Sequence, residues 1–126
     1  MIFVDTNVFM YAVGRSHPLR EEARAFFIEH AESGEVLVTS AEVMQELMHA
    51  YLAAGRETTL DAALELLRGR MGVVWPIEPA DVDLAHVMHR THAALGARDL
   101  LHVACCARRG VERVKTYDRA LAAAFA

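Results

Sequence analysis

The 126-residue sequence predicts an α/β fold: a three-layer α/β/α sandwich around a short, mostly parallel central sheet. Two observations predict it. Short strand-like runs recur along the chain, and the clearest are continuously apolar rather than alternating, as strands covered on both faces are. Between them lie stretches with apolar residues at helical spacing, the βα alternation that right-handed crossovers require. The size fits one domain spanning 1–126, and 54% hydrophobic with 24% charged residues excludes disorder for the bulk of the chain.

Residues 2–4 (Ile-Phe-Val) form the first strand, which stops at Asp5. A mixed stretch runs to Val13 and breaks at Gly14 to Pro18. Leu19, Ala23, Phe26, Phe27 and Ala31 predict a helix over 19–32, closed by Gly34. Residues 36–39 predict a second strand. Ser40 is placed to cap a helix over 41–54, striped by Val43, Leu47, Ala50, Tyr51 and Ala54 and ended by Gly55. Thr59 opens a helix to about Arg68, and 73–75 is a strand stopped by Pro76. A helix is expected over 80–94, another from Asp99 to about Arg109, a fourth strand over 113–116 and a short terminal helix after Asp118.

The formal charge is −4, and the bases are twelve Arg and the single Lys115. That balance excludes nucleic-acid binding by bulk charge alone, although it permits acids concentrated in one site. The Arg bias suits phosphate recognition, but it is also a common feature of GC-rich genomes. Cys105 and Cys106 are adjacent, which disfavours a disulfide between them and predicts two reduced, buried thiols. The N-terminus lacks a basic segment and no run of 18 apolar residues exists, so a cytosolic protein is expected.

Four acids carry the functional signal. Asp5 and Asp118 follow the first and last strands, Asp99 heads a helix, and Glu46 lies two turns into the helix leaving the second strand. Sites in open α/β sheets form outside the carboxyl ends of the strands. Four carboxylates there repel one another unless cations or Arg compensate, and carboxylate oxygens suit Mg²⁺ and Mn²⁺. Each acid also has an ordinary reading: Asp5 and Asp99 as helix caps, Asp118 as a turn residue, Glu46 as helix surface.

These residues resemble the PIN-domain family. Ile2-Phe3-Val4-Asp5-Thr6-Asn7 resembles its opening strand and D-T-N signature, and Thr39-Ser40, Val43 and Glu46-Leu47 resemble its second-strand exit and helix glutamate. Asp99-Leu100-Leu101-His102-Val103-Ala104 resembles its D-x-x-H-x-A helix, and Thr116-Tyr117-Asp118 its closing T-x-D. The match spans the chain, whose length suits VapC-type toxins of bacterial toxin–antitoxin pairs. The resemblance implies a Mg²⁺- or Mn²⁺-dependent endoribonuclease in which Asp5, Glu46, Asp99 and Asp118 are the acidic quartet. Asp5 and Asp99 are then the closest metal ligands, Glu46 and Asp118 orient water or hold a second ion, and Asn7 and Thr116 are supporting polar groups. It also implies a structured RNA substrate such as tRNA or rRNA, a homodimer and a small antitoxin protein. Leu121 departs from the pattern, which often has Phe there.

Arg15, Arg98 and Arg119 lie beside the motifs and are candidates for phosphate contacts. Glu42, one turn before Glu46, reads as surface charge more readily than as a ligand. His86, His89 and His92 drift by about 60° per step on a helix, which suits a solvated or interface stripe better than one chelate. His102 reads as a packed residue rather than a general base. Two alternatives remain: a catalytically inactive PIN-fold binding module, and a phosphate-transferring hydrolase using Asp5, which wants a second acid where Asn7 stands.

Overall fold

The computed structural model describes residues 1–126. The first half runs β1 (Ile2–Val4), α1 (Thr6–Val13), α2 (Pro18–Ser33), β2 (Leu37–Ser40), α3 (Ala41–Ala53) and α4 (Glu57–Arg70). The second half runs β3 (Val73–Trp75), α5 (Pro79–Met88), α6 (Ala97–Arg108), β4 (Val114–Lys115) and α7 (Arg119–Ala123). The four strands form one sheet in the order β3-β2-β1-β4, with every pairing parallel. The expected sandwich is therefore present, with a sheet parallel throughout rather than mostly so.

Strand order explains the layers. The chain steps from β1 to β2 to β3 in one direction, and right-handed crossovers place α1–α4 on one face. It then returns to the far side of β1, so α5 and α6 cover the other face. The principal core joins the buried strands to Val8, Phe9, Phe27, Leu47 and Leu67. A smaller core joins Ala85, Leu95, Leu100, Val103 and Ala104 to Leu121. The departure at Leu121 is thus a packing position, the fully buried residue of α7. Cys105 and Cys106 are free and buried, as expected.

Several boundaries differ from expectation. The stretch after Asp5 is a helix, α1; Thr6, Val8, Phe9 and Ala12 are buried in it, and so much apolar surface blurs the periodicity. The helix expected over 80–94 ends at Met88, and turns occupy 89–95. His86, His89 and His92 therefore share no regular helix; His92 faces a different groove from the other two. Ser40 occupies the N-cap of α3 but its side chain makes no cap bond. Gly34 and Gly55 end α2 and α3 at φ of 76° and 67°, conformations that L side chains rarely adopt.

An ion-paired clasp fixes α5 against α6. Asp81 has no exposed surface, and both Arg108 and Arg109 donate to its Oδ1 at 2.7 Å. Its Oδ2 accepts from the Glu78 amide at 2.8 Å, closing the capping box of α5. Arg109 also donates to Cys105 O and Pro76 O and stacks over Trp75. Burial alone would raise the Asp81 pKa, but these donors hold it far below the ordinary carboxylate value. A depressed folded pKa stabilises above the unfolded pKa, near 4, and that stabilisation is lost as pH falls below it. Asp81→Asn is expected to cost about 3 kcal/mol at pH 7 and to flatten the acid limb of stability below about pH 4, read by urea unfolding. An equal acid limb in wild type and variant would remove Asp81 from this role.

Candidate active site

The reversal of strand order between β1 and β4 is a topological switch point, where connections leave in opposite directions and a crevice opens at the carboxyl edge. Asp5 follows β1 and Asp118 follows β4, so the two acids flank it. Asp5 caps α1: its Oδ1 accepts from the Thr6 amide at 2.8 Å. Its Oδ2 accepts from the Thr116 hydroxyl at 2.7 Å. Asn7 donates to Thr116 Oγ1 at 3.3 Å and accepts from the Tyr117 amide at 3.2 Å. Thr116 Oγ1 also accepts from the Asp118 amide at 3.0 Å. Asp118 caps α7, its Oδ1 accepting from Ala120 and Leu121. The two polar residues singled out beside the acids, Asn7 and Thr116, therefore tie β1 to β4 across the crevice.

Glu46 enters from α3, and buried His102 from α6 stands between it and Asp5. The His102 Nε2 lies 2.5 Å from Glu46 Oε1 and 3.7 Å from Asp5 Oδ1. Beyond that close contact, Glu46 Oε1 and both ring nitrogens are buried with no other hydrogen-bond partner. Asp99 occupies the first turn of α6. The expectation that His102 is packed holds, for it is wholly buried against Phe3. Its contact with two of the acids went unforeseen, because Glu46 and His102 lie on separate elements and no spacing connects them.

Charge crowding marks the cluster. Burial raises the Asp5 pKa above its ordinary value; His102 opposes that rise and Glu46 adds to it. Burial also raises Asp99, reinforced by Asp5, Asp118 and Glu46. Burial disfavours charge on His102, yet Glu46, Asp5 and Asp99 outweigh it and lift its pKa above the ordinary value. No Arg or Lys forms an ion pair with any of the four acids. Glu42 is half-buried, and burial together with Glu46 raises it as well.

The donor set tests whether a cation fits. All four acids offer hard oxygen donors, and the nearby Thr6 Oγ1 and Ser40 Oγ are buried without partners. No three His, Cys, Asp or Glu side chains are grouped tightly enough to enclose an ion by themselves. That combination fits an ion of Mg²⁺ or Mn²⁺ type, which keeps several waters and takes only one or two carboxylates directly. Among the candidate arginines, Arg15 and Arg98 line grooves on either side of the cluster, while Arg119 is exposed on the first turn of α7.

Fold and site together define a parallel α/β domain with carboxylates gathered at its switch point. The PIN domain model matches residues 2–125, and the chain belongs to the PIN-domain family, as a VapC-type member. Over 125 residues it is 61% identical to ribonuclease VapC23 of Mycobacterium tuberculosis, covering 99% of this chain and 98% of that one. The crystal structure of Mycobacterium tuberculosis VapC20, a sarcin-ricin loop cleaving toxin, superposes with a TM-score of 0.75 at 20% identity, covering 98% of this chain and 95% of that one. The VapBC2 structure from Rickettsia felis, bound to a promoter DNA fragment, gives 0.72 at 16% identity, covering 94% and 88%. At those identities the structural matches speak to the fold.

Thr116→Val keeps the side-chain shape and removes the hydroxyl that donates to Asp5. It is expected to lower stability by about 1.5 kcal/mol at neutral pH, with the difference shrinking once Asp5 is protonated. Urea unfolding at neutral and acid pH checks this; an equal difference at both would show that Asp5 is not the affected partner.

Proposed function

We propose that this chain is a divalent-metal-dependent endoribonuclease and the toxin of a toxin–antitoxin pair, with Asp5, Glu46, Asp99 and Asp118 as its catalytic acids. The observation that carries the reading is the gathering of Asp5, Glu46, Asp99 and Asp118 at the switch point without a pairing Arg or Lys. The 61% identity to a named ribonuclease over nearly the whole chain supports RNA as substrate.

In this reading Asp5 and Asp99 hold the cation, and Glu46 and Asp118 orient its water or hold a second ion. Bound there, Mg²⁺ or Mn²⁺ supplies positive charge that lowers the pKa of water and offsets charge on the phosphodiester. Thr6 and Thr116 fix the two Asp5 oxygens, so that carboxylate is oriented before substrate arrives. Asn7 holds Thr116 in turn. His102 sets the position of Glu46 from beneath. Water is the nucleophile. Both cysteines are buried, and burial pushes the Cys105 thiol up to about 11, which removes it as a thiolate at neutral pH.

No helix is long and apolar enough to cross a membrane, which is compatible with action on RNA in the cytoplasm. A homodimer and an antitoxin partner belong to the same reading; the matched VapBC2 structure supports the second.

With Mg²⁺ or Mn²⁺ the purified chain is expected to cleave structured RNA such as tRNA or rRNA, and a chelator should stop it. Asp99→Asn should reduce the rate about 100-fold or more while circular dichroism stays unchanged. Cleavage by Asp99→Asn at the wild-type rate would overturn the site assignment. An absence of cleavage by wild type with either metal would favour a catalytically inactive binding module.

A further inference from the structure

An RNA strand approaching this site meets a chain of net charge −4 and a cluster of uncompensated carboxylates. Something must hold the polyanion near those acids. A groove of about 480 Å³ opens between the α1–α2 connection and the C-terminal end of α3, and Asn7 forms part of its wall. Asn7 also bonds Thr116, the residue that donates to Asp5, so the groove borders the acidic cluster directly.

The lining is basic and aromatic. Arg15 and Arg56 contribute two guanidinium groups, and no Asp or Glu lines the groove. Arg15 is exposed and enters no ion pair or hydrogen bond. Arg56 is half-buried, held over the buried ring of Tyr51 at 5.5 Å and donating to Thr59 Oγ1. On the opposite side, exposed His17 packs its ring 4.8 Å from Tyr11. The His17 Nδ1 accepts from the Leu19 amide as the cap of α2, so the ring is held in place rather than free to rotate. Two forked cations and a supported ring in one groove are the pairing by which proteins grip single-stranded nucleic acid: backbone phosphate on cations, a base on a π face.

We infer that this groove is a nucleotide subsite for the RNA substrate, in which Arg15 and Arg56 take a backbone phosphate and the outer face of His17, backed by Tyr11, stacks a base. The inference rests on the ribonuclease reading. It assigns the positioning of RNA to a specific side of the acidic cluster. The other groove holds Arg98, His86 and His89, but its lining is predominantly apolar, with Leu95, Leu100 and Leu101, and includes the carboxylate of Glu42, a poorer match for phosphate.

The test measures binding of a short single-stranded 2′-O-methyl RNA on an Asp99→Asn background. Arg15→Ala combined with Arg56→Gln should weaken binding about tenfold and reduce the salt-dependence slope by about 0.7 for each phosphate no longer neutralised. His17→Asn retains a cap for α2 while removing the ring, and should weaken binding about fivefold with the salt slope unchanged. In the otherwise wild-type enzyme, Arg15→Ala should raise KM and leave kcat within about twofold. Because Arg15 has no partner to lose, that variant remains informative if Arg56→Gln disturbs the fold. Unchanged affinity and slope in the arginine variants would overturn the subsite. So would unchanged RNA binding with weakened binding of polyglutamate, which would assign the groove to an acidic protein segment. RNA binding that depends on the groove in a wild-type protein that cleaves nothing would leave the subsite standing and remove the ribonuclease reading.

Discussion

Asp5 retains only 5% of its surface exposure, yet it lies within the fields of Glu46 and Asp99, where water screens little. That burial of like charges is the constraint on which the surrounding structure depends. The local devices act on it one by one. The Thr6 amide and the Thr116 hydroxyl each donate to one Asp5 oxygen, and His102 sets an imidazole between Asp5 and Glu46. These contacts moderate the repulsion; burial still holds the pKa of both Asp5 and Asp99 above the ordinary value, and the neighbouring carboxylates add to it.

The fold brings the acids together by reversing its direction across the sheet. Asp5 and Asp118 are separated by most of the chain, and the pairing of β1 with β4 makes them neighbours. Both acids also cap the helices that leave those strands. Capping and site formation are therefore not competing explanations here. A strand that ends in an N-cap aspartate delivers a carboxylate to the sheet edge in a fixed orientation, with one oxygen held by the following helix. Just past the carboxyl end of β3, the Asp81 clasp fastens α5 to α6 and so steadies the helix that carries both Asp99 and His102.

What the sequence made legible follows range. Strands β1, β2 and β3 stood out because they are short, apolar and bounded by Asp5, Ser40 and Pro76. The order of acids after strands then placed them at one edge. The helix α1 was hidden, because Thr6–Val13 is apolar on too many sides to display a stripe. The end of α5 was missed because Arg90 and Thr91 continue a plausible helix while the chain turns away after Met88. The His102–Glu46 contact, the Asp81 clasp and the basic groove depend on residues distant in sequence. No spacing reveals Arg56 facing Arg15, since they meet only when the end of α3 packs beside the α1–α2 connection.

Thermal unfolding with and without Mn²⁺, compared between wild type and Asp99→Asn, tests most directly whether uncompensated carboxylate repulsion creates the site. If it does, removing one charge raises the melting temperature of the metal-free protein, and Mn²⁺ raises that of wild type far more than that of the variant. A variant that melts lower than wild type without metal, yet gains as much from Mn²⁺, would contradict the account.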